Sequence, residues 1–104
     1  MNPAPPNMHC VYLLKNMFKN WIYIGCTSNL TKRLQEHQLG KRYSTKKYVQ
    51  LRLVYYEAYF SKEDAYAREQ KLKQYGSSLQ KLRQRLTNSL KSSPQKGRVK
   101  GGAG

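Results

Sequence analysis

Cys10-Val11-Tyr12-Leu13-Leu14-Lys15, then Asn16-Met17-Phe18-Lys19-Asn20, then Trp21-Ile22-Tyr23-Ile24-Gly25: this stretch decides the fold. Residues 11–15 and 21–25 are short runs of apolar and aromatic side chains, and residues 16–20 join them, which reads as a β-hairpin. Side chains alternate faces along a strand. If Tyr12 and Tyr23 lie on one face, Leu14 and Gly25 lie there too. Gly25 carries no side chain, so open space is expected beside Tyr23, where a ligand's backbone can come close. The plainer alternative is that tyrosine is a good strand former and Gly25 merely ends the strand. The same parity puts Cys10 with Tyr12 and turns Cys26 the other way, so a cross-strand disulfide is geometrically poor. Both cysteines are expected as small buried hydrophobes.

Beyond the hairpin, Thr27, Ser28 and Asn29 offer caps for a helix whose inner stripe is Leu30, Leu34 and His37, with Gly40 as its stop. Residues 41–49 form a basic loop with Tyr43 and Tyr48 interleaved. Residues 51–60, rich in leucine, valine and tyrosine, predict a third strand. Ser61 with Asp64 three residues on resembles a capping box and opens a helix running to Tyr75. Leu79, Leu82, Leu86 and Leu90 share one stripe of a last helix, with Lys81, Arg83 and Arg85 off it. The order β-β-α-β-α-α predicts a small layered α+β fold. Residues 1–8 are proline-rich and expected to be flexible, residues 9–90 form the folded unit, and residues 91–104 are expected to be a disordered basic tail.

The chain has 104 residues, enough for one domain, and 38% are hydrophobic. Lysine and arginine number 20 against five acids, a formal net charge of +15. So lopsided a balance carries self-repulsion, and a polyanionic partner, nucleic acid by default, would relieve it. The cations are spread along the chain rather than gathered on one amphipathic helix, which argues against a membrane surface. No apolar run approaches the length of a span, and the N-terminus lacks the charge and apolar stretch of a secretion signal. A cytoplasmic setting, nucleoid association included, is the expectation. Two cysteines exclude a disulfide scaffold and the usual zinc spacings.

Three features could carry chemistry. Arg33 and His37 stand at i and i+4, so they project from one side of their helix, and Arg33 borders the buried edge set by Leu30 and Leu34. A guanidinium there suits bidentate contact with phosphate. His37 reads equally as a partly buried ring bonded to backbone. Ala65, Glu69 and Leu72 fall at i, i+4 and i+7, so Glu69 lies on a core-facing stripe. A carboxylate there needs an ion pair, with Arg33, Arg68 or Lys73, or a metal. Magnesium keeps several waters and accepts one or two protein carboxylates, so a single-glutamate site is chemically sufficient. Lys41, Arg42, Tyr43, Lys46 and Lys47 in the basic loop, with Lys32, Lys71 and Lys73 on the helices, supply charges for phosphates and a ring for stacking on bases.

In this order the residues resemble the GIY-YIG nuclease domain family. The first triplet stands as Cys10-Val11-Tyr12 and the second, Tyr23-Ile24-Gly25, is intact. Asn29-Leu30-Thr31-Lys32-Arg33-Leu34-Gln35-Glu36-His37 resembles the family's arginine-histidine helix, and Ala67-Arg68-Glu69-Gln70-Lys71-Leu72-Lys73 its glutamate segment. The compact form is similar to small single-domain members, relatives of the N-terminal domain of the excision-repair nuclease subunit. The resemblance implies a three-stranded antiparallel sheet flanked by helices, with the site on the sheet face. It implies Tyr23 as general base, Tyr12 orienting the nucleophile or the scissile phosphate, Arg33 stabilising developing charge and Glu69 holding one Mg²⁺ or Mn²⁺. A free phenol ionises near pH 10, so such a base needs positive charge beside it, from metal or arginine. Some members carry a lysine immediately after the second triplet; here that position is Cys26.

The expectation is a metal-dependent endonuclease on DNA, selective for a flap, nick or branch and serving repair or recombination, with a protein partner as one means of targeting. A non-catalytic nucleic-acid-binding adaptor on the same scaffold is the alternative. A basic structural protein leaves Glu69 on its apolar stripe unexplained.

Overall fold

The computed structural model describes residues 7–16, 20–38 and 51–91. Along the chain run β1 (His9–Asn16), β2 (Ile22–Thr27), α1 (Leu30–Gln38), β3 (Leu51–Tyr59), α2 (Lys62–Gln74) and α3 (Gly76–Arg85). The three strands form one antiparallel sheet in the order β2-β1-β3, so β2 is an edge. This is the α+β architecture and the element order that the sequence leads one to expect.

Strand parity sorts the core into two layers. Cys10, Tyr12 and Leu14 of β1 pack with Leu30 and Leu51 under α1, joined by Trp21, Tyr23 and Leu34. Val11 and Leu13 turn the other way and pack with Ile24, Ala65, Leu72 and Leu82 under α2 and α3. β1 is therefore buried on both faces, and Val11, Tyr12 and Leu13 are fully enclosed. Between β1 and β3 the register shifts at Leu13/Leu14, where Tyr55 stands opposite Leu13 and Leu53 opposite Leu14. The extra residue, Val54, is a β-bulge that re-aims the strand's side chains. Downstream of it Tyr55 and Glu57 oppose Leu13 and Val11, the α2 side, while Tyr56 opposes Tyr12.

Local signals explain the helix starts. Asn29 Oδ1 accepts the Lys32 amide at 3.1 Å, and Thr27 Oγ1 accepts the Asn29 amide at 3.1 Å. Ser61 Oγ accepts the Asp64 amide at 3.3 Å. Such caps are worth about 1 kcal/mol each. Glu63 and Asp64 in the first turn of α2 and Lys71 and Lys73 in its last complement the helix dipole.

Two expectations need adjustment, and a third falls outside the described residues. β1 and β2 extend beyond the runs in the sequence, β2 through Cys26 and Thr27. α3 stops at Arg85 instead of carrying Leu86 and Leu90. Thr87 Oγ1 donates to the Gln84 carbonyl at 3.0 Å, and Thr87-Asn88-Ser89 is a run whose side chains compete with helical hydrogen bonds. The loop of residues 41–49, with Lys41, Arg42, Tyr43, Lys46 and Lys47, lies outside the described residues, as do Gly40, residues 1–6 and residues 92–104.

Candidate active site

The hairpin register pairs Tyr12 with Gly25 and Leu14 with Tyr23, so both tyrosines and the glycine share the α1 face. The space beside Gly25 is not open. A Cβ built there would overlap the Tyr12 hydroxyl oxygen and stand 2.5 Å from Cζ and 2.9 Å from Cε1. The glycine is required by the neighbouring phenol ring, and the expected approach of a ligand backbone is closed by it.

α1 brings the imidazole to the same place. His37, almost wholly buried, bonds through Nε2 to the Tyr12 hydroxyl at 3.0 Å. Its ring edge meets the Tyr23 ring at a centroid distance of 4.8 Å, and the two tyrosine rings are 6.3 Å apart. Trp21 stands 6.3 Å from Tyr23 on the far side. Tyr12 is fully enclosed, whereas Tyr23 keeps part of its surface in solvent. Of the two phenols, Tyr23 is the one a substrate can reach.

Arg33 closes the helix onto the end of β2. Its Nη1 donates to the Cys26 carbonyl at 3.4 Å and its Nε pairs with Glu36 at 3.3 Å, leaving a quarter of the side chain exposed. Glu69 comes from the opposite layer. It lies on the stripe of Ala65 and Leu72, nearly buried, and its Oε2 meets Lys73 Nζ at 2.9 Å. Of the three pairing partners read from the sequence, Lys73 is the one observed. Cys26 joins the two sides electrostatically. Burial pushes its thiol up, Glu69 and Cys10 add to that, and Arg33 and Lys73 pull against them. Cys26, on the edge strand, thus feels charges carried by helices on both faces of the sheet. The candidate residues come from both layers, Tyr12, Tyr23, Arg33 and His37 from the α1 side and Glu69 from α2.

Among the described residues no three histidine, cysteine or acidic side chains gather into a metal cluster. The donor set here is one carboxylate, Glu69, paired with a single lysine whose side chain is 45% exposed. That suits a hard cation that keeps its waters and takes phosphate oxygens as ligands, not a soft ion needing a closed protein cage. Of the expected nucleic-acid contacts, Lys32 is exposed on α1, and Lys71 and Lys73 are exposed on α2.

The sequence reading missed a second carboxylate. Glu57 on β3 accepts Tyr55 Oη at 2.6 Å, Tyr59 Oη, and a fork from Arg68, Nε at 3.0 Å and Nη2 at 3.0 Å. Burial pushes this carboxyl up, but the Arg68 fork and the two hydroxyls outweigh it and hold it below the usual range. Tyr55 and Tyr59 are both pushed up to about 12, first by burial and then by their bonds to Glu57. Fully bonded, Glu57 ties α2 to β3 through Arg68 and so helps position Glu69, the next residue. The signal was present: in Tyr55-Tyr56-Glu57-Ala58-Tyr59 an acid alternates with two tyrosines on one strand face.

Among the described residues no helix is long and apolar enough to cross a membrane. The family model described as the GIY-YIG catalytic domain matches residues 8–84. No curated protein and no solved structure matches the chain.

Proposed function

The chain belongs to the GIY-YIG catalytic domain family, a family of phosphodiester-cleaving nucleases, and from that premise we propose a metal-dependent endonuclease that hydrolyses DNA at a flap, nick or branch. The observation that carries the reading is His37, which bonds one phenol and lies edge-on to the other. Tyr23, the accessible phenol, acts as its phenolate: it takes the proton from the attacking water and becomes the neutral phenol as the hydroxide oxygen bonds to phosphorus. Where some family members carry a lysine after the second triplet, this chain has Cys26, whose raised thiol stays neutral and supplies no charge. On this reading His37, whose ring lies against Tyr23, assists it instead, and Tyr12 acts by fixing the imidazole rather than by touching the nucleophile. Arg33, anchored by the Cys26 carbonyl, offers its exposed guanidinium edge to the charge that builds on the phosphoryl group. Glu69 would hold one Mg²⁺ or Mn²⁺, a charge that polarises the phosphoryl oxygen and steadies the leaving group when bound.

The test is cleavage of duplex, single-stranded, flap, nicked and branched DNA with and without Mg²⁺, by the wild type and by Tyr23→Phe, Arg33→Ala and Glu69→Gln. Removing a positioned base lowers rates by roughly 10²–10⁴-fold, so Tyr23→Phe should fall in that range. Undiminished cutting by Glu69→Gln would sink the metal assignment. The Lys73 pair already satisfies Glu69, which favours a second reading, a binding adaptor. That reading expects salt-sensitive DNA binding and no cleavage with either metal.

A further inference from the structure

All five acidic residues lie at one end of the sheet. Glu57 stands opposite Val11 in the ladder, and Glu69 acts on Cys26, which also stands opposite Val11. Glu36 pairs with Arg33, whose guanidinium reaches the Cys26 carbonyl. Glu63 is felt by His9, the first residue of β1, and Asp64 adjoins it in the same helical turn.

The other end carries cations. Lys15 stands opposite Arg52 in the ladder and opposite Ile22 on its other side. Its ammonium donates to the Asn16 carbonyl at 3.1 Å, with the residue only 5% exposed. Arg83 of α3 donates to Asn20 Oδ1 at 3.2 Å, and Arg52 donates to the Lys91 carbonyl at 3.2 Å. Both guanidinium groups are held at the surface by neutral acceptors, and the ion pairs of Glu36, Glu57 and Glu69 are made with other cations. Burial first, and then the charges of Arg83 and Arg52, hold the Lys15 ammonium below its usual range. Like charges have been gathered here at a cost.

From this arrangement we infer that Arg52 and Arg83, backed by Lys15, form a second phosphate site that grips the nucleic-acid backbone away from the point of cleavage. The inference rests on the nuclease reading for the identity of the polyanion. Lys15 lies four residues along β1 from Val11, the level of Cys26 on which Arg33 and Glu69 both act, about 13 Å at strand rise. At about 3.4 Å per nucleotide that is roughly four phosphates from the phosphate that Arg33 and Glu69 would engage. The site therefore holds one arm of the substrate while Arg33 and Glu69 engage the phosphate to be cut.

The experiment is equilibrium binding of the full chain to a fluorescent 20-base-pair duplex in EDTA, over a range of salt. It compares the wild type, Arg52→Gln/Arg83→Gln and Arg52→Lys/Arg83→Lys, each checked for folding by its thermal transition. Each lost phosphate contact lowers the slope of log affinity against log salt by about 1, so the glutamine pair should lose about 2. The lysine pair keeps the charge and should keep the slope, which a merely structural role in bonding Asn20 and Lys91 would not produce. An unchanged slope in the glutamine pair overturns the inference. So does a loss seen with polyglutamate but not with the duplex, which would make the patch a protein-docking surface. Wild-type cleavage is scored separately: absent cleavage with a slope loss rejects the enzyme and keeps the patch, and the reverse rejects the patch alone.

Discussion

Replacing Gly25 with alanine adds a single methyl group, yet it tests the centre of the site. The new carbon would overlap the Tyr12 hydroxyl and stand 2.5 Å from Cζ. The obstacle is a ring, not the end of a flexible chain, and Tyr12 is enclosed between β2, β3 and α1. It has to tilt out of place, and the bond to His37 goes with it. Overpacking of this kind costs about 1–3 kcal/mol and a lost buried hydrogen bond about 1 more, so Gly25→Ala should destabilise by about 2–4 kcal/mol. For a domain of this size that is a fall of roughly 10–25 °C in Tm. The assay is urea unfolding of four proteins: the wild type, Gly25→Ala, Tyr12→Leu and the double variant. Leucine at position 12 removes the ring, so the alanine should then cost less than about 1 kcal/mol, a coupling of the size seen between residues in contact. An equal cost in both backgrounds would refute the argument that Gly25 exists to seat the Tyr12 ring.

His37→Gln keeps a polar partner for Tyr12 but removes the ring edge from Tyr23; stability should change by about 1 kcal/mol while cleavage falls by about 10²-fold, the scale of a lost proton-transfer aid. Glu57→Gln should cost about 1–3 kcal/mol in urea, less than a fully buried pair because part of the group is wet. In the wild type the stability from ionised Glu57 is present above the unfolded carboxyl value, about 4.3, and is lost as pH falls through its lower folded value; the glutamine variant should lack that acid limb. Tyr55 and Tyr59 give the opposite sign. Their folded values, about 12, lie above the unfolded value, so their contribution is whole below about pH 10 and is lost as pH rises towards 12. Phenolate absorbance should therefore show two late-titrating tyrosines, and Tyr55→Phe/Tyr59→Phe should flatten the alkaline loss of stability.

The elements and their order were legible because β1 and β2 are short apolar runs bounded by polar residues, while burial imposes period 3.6 on α2. That helical period places Glu69 with Ala65 and Leu72 without any structure, whereas the shared face of Tyr12 and Tyr23 needed the register. What the pattern cannot carry is the choice among partners at equal spacing. Glu69 could pair with Arg33, Arg68 or Lys73 by sequence; Arg68 is taken by Glu57, eleven residues earlier on another element, a pairing that no periodicity reports. The end of α3 was misread for a similar reason. Leucine spacing continued through Leu86 and Leu90, while the hydroxyl of Thr87 turned back to the Gln84 carbonyl.

The seat of the site on an edge strand follows from what the chemistry needs. A central strand such as β1 is covered on both faces and paired on both sides, so it can lend only a buried residue, and Tyr12 is that residue. An edge strand leaves one flank to solvent. Tyr23 and Cys26 of β2 are both partly exposed, and they face opposite layers. On the proposed reading, a substrate lying along that flank would meet Tyr23 and Arg33 from the α1 layer and Glu69 from the α2 layer. The separation also keeps Arg33 and Glu69 apart: each is paired with a neighbour on its own helix, Glu36 and Lys73, instead of with the other. A direct bond would tie the two residues to each other across the sheet edge; paired on their own helices, each keeps part of its side chain in solvent, 25% for Arg33 and 12% for Glu69.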